Sequence, residues 1–120
     1  MIKFDATWRI FNVYILILLF ILFAKTSSGQ ITLKYFNADW NKTNSIEWIN
    51  ELKEVKTKSY IDIGKNTEAQ KKYKIAVIPT IIIFKDGEEV ARFQADLSFK
   101  MVATRKEVQE EIDEQLMSDF

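Results

Sequence analysis

The segment IPTIIIFKDGEEV, residues 78–90, decides the fold, because it combines a proline, an apolar strand and a hairpin signal in one short stretch. The run TIIIF, residues 80–84, is almost entirely apolar, which is typical of a strand that is covered on both faces. Asp86 and Gly87 then form a strong two-residue hairpin signal. The alternating residues 88–95 that follow predict the returning strand.

Two further strands and one helix are predicted on the N-terminal side of this hairpin. The β-branched and aromatic run ITLKYF, residues 31–36, predicts a strand, and KSYIDI, residues 58–63, predicts a second one. Between them, apolar residues recur at helical spacing, so we predict a helix over about residues 45–56, capped by Asn44 or Ser45. The apolar face of this helix comprises Ile46, Trp48, Ile49, Leu52 and Val55.

Two more helices complete the predicted domain. A turn at residues 64–66 precedes a short helix over about residues 67–74. The last helix starts at the capping box TRKE, residues 104–107, and runs to about Met117. The predicted order from residue 31 onward is βαβαββα, which is an α/β fold.

Composition excludes several classes of function. The chain has 120 residues, enough for one domain, and its 17 basic and 17 acidic residues give a formal net charge of zero. We therefore expect no nucleic-acid partner, which would require a broad basic face. Cysteine and histidine are both absent, which excludes a thiolate nucleophile, a disulfide, a Cys/His metal site and a histidine base. No loop clusters carboxylates at ligand spacing and no glycine-rich phosphate loop is present, so we predict no metal and no cofactor.

An unbroken apolar run, VYILILLFILFA at residues 13–24, precedes the predicted domain. Lys3 and Arg9 come before it and small residues follow it, which is the layout of a secretory signal peptide. Cleavage after Gly29 would release a chain that starts at Gln30. We favour this interpretation because the run is shorter than the roughly 20 residues that span a bilayer comfortably.

We therefore divide the chain into residues 1–29, a signal peptide or N-terminal membrane anchor, and residues 30–120, the folded domain. A cleaved signal implies an exported protein, periplasmic or secreted. If the leader is not cleaved, residues 10–24 attach the chain to the inner membrane with the domain outside. A buried core helix is the third interpretation of the apolar run.

The order of these features resembles the thioredoxin family. Trp40 stands before a polar loop, IPT follows at residues 78–80, and FKDG follows at residues 84–87. Each feature is weak alone, but the order and spacing together are specific, and they cover residues 31–95 well and the last helix loosely. A narrower resemblance is to small Cys-free exported thioredoxin-like proteins of Bacteroidota-type bacteria.

The resemblance implies a reduced thioredoxin-like fold, because the family's first strand and helix have no counterpart after residues 1–29. The four-stranded mixed sheet would be flanked by helices, with the third strand antiparallel to the second in the order 58–63, 31–36, 80–84, 88–95. By alternation, Lys34 and Phe36 share the face on which the missing helix would pack. Lys34 could reach water there and Phe36 would be left partly uncovered, or Lys34 could snorkel at a sheet edge.

The resemblance also places amides where the family has its chemistry. Asn41 and Asn44 occupy the two cysteine positions, and Tyr35 and Tyr60 fall where a buried Asp and Lys would be. An amide cannot attack a disulfide, so we predict no thiol-disulfide oxidoreductase activity and no catalytic residue. As structural residues, the two asparagines would be loop and cap residues, and the two tyrosines core aromatics whose hydroxyls find partners.

The placement of residues 78–80 implies a cis bond before Pro79, with a bend that exposes the backbone of Ile78 beside the motif loop. Thioredoxin relatives pair with an extended peptide at this point. We therefore predict a peptide-binding groove formed by Trp40, Asn41, Asn44, Ile78, Pro79 and Thr80. The alternative for Trp40 is simple packing against the domain.

Two classes of function remain. The first is a redox-inactive binding module of the cell envelope, which holds a protein or an extended peptide in this groove or on the Phe36 face. The second is a structural or assembly protein, a homodimer through the sheet face that the missing first helix leaves uncovered. A thiol-independent enzyme of unknown type is a third alternative.

The leader generates the first testable prediction. N-terminal sequencing of the exported protein should begin near Gln30, because the charged, apolar and small-residue regions are arranged as in a cleaved signal. Recovery of the full chain in the membrane fraction would contradict cleavage and support the anchor.

Overall fold

The structure, a computed structural model, describes residues 29–118. Among these residues, no helix has the length and apolar character needed to cross a membrane. The predictions made for residues 1–28, including the apolar run, lie outside the described residues.

A four-stranded sheet organises the described chain. Its order is β2-β1-β3-β4, with β1 parallel to β2 and antiparallel to β3, and β3 antiparallel to β4. The strands are β1 (Ile31–Asn37), β2 (Thr57–Asp62), β3 (Thr80–Lys85) and β4 (Glu88–Gln94), and the helices are α1 (Thr67–Lys72) and α2 (Arg105–Met117). The predicted α/β class and strand order are confirmed.

The hairpin between β3 and β4 forms as its sequence predicts. Asp86 and Gly87 both have positive φ, 52° and 87°, which is the conformation that an Asp-Gly turn favours. The register shifts just before this turn, because Ile83 pairs with Ala91 whereas the next residue pairs with Glu89. One residue of β4 is therefore left over as a bulge.

The predicted helix over residues 45–56 is wrong. The chain instead forms two short 3-10 segments, Asp39–Asn44 and Glu47–Glu51, neither of which has a side-chain cap. The backbone is extended at Ser45, Ile46 and Leu52, which confines the helical turns to short pieces. The segment nevertheless buries Ile46, Ile49 and Leu52 in the core, so tertiary packing overrides the local helical pattern.

The starts of both α-helices agree with capping chemistry. At α1 the Asn66 side chain accepts a hydrogen bond from the Ala69 N–H at 3.0 Å. At α2 the Thr104 hydroxyl accepts one from the Glu107 N–H at 3.2 Å, so the predicted cap at Thr104 is confirmed. The Glu107 carboxylate accepts from the Thr104 hydroxyl at 3.3 Å. Each cap satisfies one of the backbone donors that a helix start leaves unpaired.

One face of the sheet, called here the Tyr35 face, carries the larger core. Its apolar side chains pack against α2 and against the second 3-10 segment with the residues that flank it. A fully buried aliphatic side chain contributes about 1.5–3 kcal/mol, so this cluster dominates the stabilisation of a domain without disulfides. The buried members are Ile31, Leu33, Tyr35, Ile46, Ile49, Leu52, Ile81, Ile83, Val108 and Ile112.

The opposite face, called here the Phe36 face, is covered. Phe36 is 0% exposed, so the expectation that it is left partly uncovered is wrong. The Tyr73 ring lies 5.3 Å from the Phe36 ring and 6.0 Å from the Phe84 ring, and the Lys34 ammonium sits 5.6 Å above it. The segment that follows α1 therefore covers the strands on which a first helix would otherwise pack.

Arg92 of β4 holds this covering segment in place. Its guanidinium donates to the backbone carbonyls of Tyr73 at 2.8 Å and Lys74 at 3.0 Å. The Glu89 carboxylate pairs with the same guanidinium at 2.8 Å. The hydrogen bond from Arg92 lowers the pKa of the Glu89 carboxyl. Because both the carbonyls and the cation are satisfied, the chain can leave α1 and cross the sheet without unpaired polar groups.

Tyr73→Ala should lower the free energy of unfolding by about 2–3 kcal/mol, because it removes a ring that packs on two buried phenylalanines. Tyr73→Phe keeps the ring and is the matched control, with an expected change within about 0.5 kcal/mol. Urea denaturation measures both variants. A loss in the alanine variant no larger than in the control would contradict the covering role.

Candidate functional site

A chain of side-chain hydrogen bonds runs through the place where the family carries its thiols. The Asn37 amide donates to the Tyr35 hydroxyl at 3.2 Å, and the Asn41 amide donates to the Asn37 oxygen at 3.0 Å. The Asn44 amide donates in turn to the Asn41 oxygen at 2.9 Å. Asn37 and Asn41 are both buried. This amide chain ties the end of β1 to the first 3-10 segment.

The amide chain also reaches a distant loop. The Asn41 amide donates to the Phe99 backbone carbonyl at 3.1 Å, across 58 residues of sequence. Both the donor and the acceptor ends of the Asn41 side chain are therefore occupied within the protein. A buried, satisfied amide positions its neighbours and has no group left for a ligand.

Trp40 and Phe99 form an exposed aromatic pair at the rim of this region. Their ring centroids lie 5.1 Å apart in an edge-to-face arrangement, an interplanar angle of 89°. Trp40 is 66% exposed and Phe99 is 40% exposed, and Leu97 in the same loop is 92% exposed. We call these three side chains the Trp40–Phe99 surface.

The loop over residues 96–100 is held rigidly although it lies at the surface. The Asp96 carboxylate accepts hydrogen bonds from the Ser98 hydroxyl, the Ser98 N–H and the Lys100 N–H. The Asp96 N–H donates to the Lys100 carbonyl at 3.0 Å. These hydrogen bonds hold the pKa of the Asp96 carboxyl below its usual range, and the bond from the Ser98 hydroxyl has the largest effect. The loop therefore presents its apolar side chains in one conformation.

Phe99 adopts an unusual backbone conformation. Its φ is +63°, in the left-handed region that bulky side chains rarely occupy. Such a conformation costs of order 1–3 kcal/mol and persists only where neighbouring bonds impose it. Here its carbonyl is held by Asn41 and its N–H donates to the Asp96 carbonyl at 3.1 Å. Strain of this kind, next to exposed aromatic rings, motivates a functional role for the loop.

The other residues of the predicted groove lie deeper. The Ile78–Pro79 bond is cis, as expected. Ile78 is only 2% exposed, however, so the bend does not present its backbone to solvent as we expected. The Thr80 hydroxyl donates to the Val77 carbonyl at 2.6 Å. Of the six predicted groove residues, Trp40 is exposed, Asn44 is partly exposed, and the four others are buried.

A shallow depression lies beside Asn44 and the rigid loop. It encloses about 320 Å³, and its lining includes Asn44, Trp48, Lys100 and Met101. Because Lys100 belongs to the rigid loop and Asn44 to the amide chain, the depression adjoins the segments that carry Trp40 and Phe99. Among residues 29–118, no group of three or more His, Cys, Asp or Glu side chains is placed to hold a metal ion.

Tyr35 and Tyr60, which the resemblance places at the family's Asp and Lys positions, differ in their exposure to solvent. Tyr35 is buried and its hydroxyl accepts from both Asn37 and Ile46. Tyr60 is 56% exposed, which corrects the expectation that it is a core aromatic. Its ring lies 5.3 Å from the Tyr35 ring, and partial burial followed by the nearby Asp62 carboxylate raises the pKa of Tyr60.

Sequence reasoning found Trp40 and Asn44 but missed Leu97 and Phe99. The segment DLSFK, residues 96–100, contains the signal that could have revealed them. An aspartate two residues before a serine favours a side-chain-bonded turn, and large apolar residues within such a turn have no core to enter. The contact between this turn and Trp40 depends on the tertiary structure.

Comparison with known proteins gives the same family. The thioredoxin family model matches residues 30–110. A chloroplastic protein of Arabidopsis thaliana, thioredoxin Y1, is 45% identical over 47 residues, which are 39% of this chain and 27% of that protein. The match thus spans about a quarter of that relative.

Solved structures show the same fold at low identity. A mutant thioredoxin of Halobacterium salinarum superposes with a TM-score of 0.57 at 21% identity, over 76% of this chain and 79% of that one. Thioredoxin-2 of the malaria parasite, a component of its protein secretion machinery, gives 0.55 at 18% identity over 72% and 84%. Fasciola hepatica thioredoxin gives 0.52 at 24% identity over 80% and 90%.

These matches do not support the narrower resemblance to exported proteins of Bacteroidota-type bacteria. They agree with the observed strand order and with the hairpin that follows the cis proline. The family model covers about two thirds of the chain, from the start of the domain into the last helix. This protein belongs to the thioredoxin family.

Proposed function

We propose that this protein is a redox-inactive thioredoxin-family module that binds an extended, apolar segment of a partner protein without forming a covalent bond. The observation that carries the proposal is the Trp40–Phe99 surface, an exposed aromatic pair in which the first 3-10 segment supplies Trp40 and the 96–100 loop supplies Phe99. The chain contains no cysteine, so thiol-disulfide exchange has no nucleophile. Binding is the activity that the remaining groups support.

The geometry of the surface favours a partner protein. Single exposed apolar residues are common, but an exposed aromatic pair with a further exposed apolar residue two positions along the chain marks an interaction site more often. Tryptophan and other aromatic side chains supply much of the energy at protein interfaces. Because the loop is already held by hydrogen bonds to Asp96 and Asn41, binding costs little additional conformational entropy.

The chemistry of the surroundings indicates an extended segment. The depression beside Asn44 and Lys100 offers polar groups at the edge of the aromatic pair. An extended chain can place an apolar side chain on Trp40 while its backbone meets such polar groups. Ile78, Pro79 and Thr80 are all buried, so the proposed binding surface does not include them.

We place this activity outside the cytoplasm, in the cell envelope. The support is the sequence of residues 1–29, which has the layout of an export signal or of an N-terminal anchor. An anchored domain would meet its partner at the membrane surface, and a cleaved one in the periplasm or medium.

The second candidate function was a homodimer through the sheet face on which the family's first helix would pack. It required that face to be uncovered, and the structure shows it covered. Phe36 and Ile82 on that face are both 0% exposed, and Tyr73 lies across it. The apolar surface that such a dimer would bury is already buried within the chain.

Trp40→Ala should weaken binding by at least about tenfold, because an aromatic anchor at an interface contributes at least about 1.4 kcal/mol. Phe99→Ala should have a similar effect. Met117→Ala removes an apolar side chain of comparable exposure on α2 and is the matched control. Peptides selected from a displayed library against the exported protein provide the ligand, and NMR titration gives the dissociation constants. Normal affinity in both aromatic variants, or shifts confined to α2, would contradict the proposed site.

A cysteine pair tests the redox side of the proposal. Asn41→Cys with Asn44→Cys should form a disulfide, because the two side chains already touch at 2.9 Å. Insulin reduction should stay poor, since Tyr35 and Tyr60 supply no proton-handling pair and the 3-10 segments lack the long helix that favours a thiolate.

Mass spectrometry after alkylation detects the disulfide in that double variant, and Asn44→Cys alone is its control. Thioredoxin-like rates of insulin reduction would show that the tyrosines and the short segments do not limit the reaction.

A further inference from the structure

Four lysines are gathered on the segment that covers the Phe36 face and on the strand beneath it. The Lys34 ammonium of β1 lies 5.6 Å from the centre of the Tyr73 ring, and the Lys72 ammonium at the end of α1 lies 5.3 Å from it. Two exposed lysines adjoin this pair in the chain. We call these four residues, Lys34, Lys71, Lys72 and Lys74, the Tyr73 lysine cluster.

The Tyr73 lysine cluster has no counter-charge of its own. Among residues 29–118, no carboxylate forms an ion pair with any of its four ammonium groups. Glu68 on α1 is the acidic residue closest to it in sequence, and its side chain is exposed and pairs with none of them. The cluster therefore presents a net positive charge to a surface that approaches the Phe36 face.

The other side of the sheet carries the opposite charge. α2 packs on the Tyr35 face, and Arg105 and Lys106 lie only in its first turn. The turns that follow contain five acidic residues and no basic one: Glu107, Glu110, Glu111, Asp113 and Glu114. The described domain is thus polarised across its sheet, so a charged surface would orient it as well as attract it.

We propose that the Tyr73 lysine cluster docks on the surface of an anionic lipid bilayer, with the acidic α2 facing away from it. A cluster of about four or more basic residues next to a membrane attachment is typical of binding to acidic headgroups. Each lysine near such a surface strengthens binding by about fivefold. Docking depends on the envelope location and not on peptide binding at Trp40 and Phe99, so each can occur without the other.

The type of cation favours a bilayer over an acidic protein. Arginine, with its planar fork of donors, is the residue suited to bidentate recognition of a single carboxylate or phosphate group. Arg92 is already occupied by the Tyr73 and Lys74 carbonyls and by Glu89. The cluster itself offers only lysines, whose ammonium groups on flexible stems suit a diffuse layer of headgroups.

The chain that precedes the described residues favours the same partner. If the leader is not cleaved, residues 10–24 attach the chain to the membrane, and residues 25–30 join them to β1. Six residues span at most about 20 Å, so the domain stays within reach of the headgroups. Such a tether raises the effective concentration of the surface, which makes a few charges sufficient. Trp40 follows the far end of β1 and remains accessible to a partner.

Nanodiscs of two compositions test the orientation. The protein, purified as the cell processes it, is combined with discs of phosphatidylcholine alone or of phosphatidylcholine with phosphatidylglycerol. A gadolinium-labelled lipid broadens the NMR signals of backbone amides near the headgroups, whether or not the leader has been removed. On the anionic discs, residues 71–74 should broaden strongly and residues 107–114 weakly. The difference should vanish on neutral discs and at high salt, which screens the charges.

Paired lysine variants test the charges. Lys71→Gln with Lys72→Gln should lower the ratio of docked to undocked protein by about thirtyfold, because two charges are lost while the side-chain stems remain. Arginine at both positions should restore docking, since only the charge is required. Lys53→Gln with Lys106→Gln is the matched control, because both are exposed lysines outside the cluster. The control should lower the ratio by no more than about threefold.

Several results would overturn the proposal. They are equal docking on neutral and anionic discs, broadening that is strongest on α2, and equal effects of the two glutamine pairs. Failure of the arginine pair to restore docking counts against it as well. Binding of a polyglutamate peptide by the cluster, without docking on anionic discs, would assign the cluster to an acidic protein instead.

Discussion

The buried amide chain from Tyr35 to Asn44 is the constraint on which the functional end of this domain depends. Through it, the end of β1 is bonded to the first 3-10 segment, and Asn41 fixes the distant loop by its bond to the Phe99 carbonyl. The Tyr35 hydroxyl also accepts from the Ile46 N–H, which bonds the start of the second 3-10 segment to β1. A buried polar network of this kind holds its members in one arrangement, because each unpaired amide would be costly.

The domain keeps a thioredoxin-family sheet with fewer covering elements. Tyr73 and the residues after α1 lie across the Phe36 face, and Arg92 anchors their carbonyls. The Lys34 ammonium sits over the Tyr73 ring, so a cation within a central strand is stabilised by the aromatic face. Side chains of the described residues thus cover this face of the sheet.

Because the chain contains no cysteine, a partner can interact with it only through non-covalent contacts. Amides that bond to each other occupy the position of the reactive groups, while Trp40 and Phe99 remain exposed beside them. Within the described residues, β2 lies at one edge of the sheet and has no neighbouring strand on its outer side.

The sequence by itself determined the four strands, the Asp86–Gly87 hairpin and the cap at Thr104, because these follow from local periodicity and turn chemistry. The strand order was implied by the resemblance to the thioredoxin family and not by any local pattern. The sequence could not determine that residues 45–56 avoid a helix, since the apolar residues of this segment are buried by packing against strands and a helix from other parts of the chain. The same holds for Asn41, whose burial depends on a loop 58 residues away. Only the tertiary structure brought Phe99 to Trp40 and Tyr73 to Phe36, because contacts between distant segments depend on packing that no local pattern encodes.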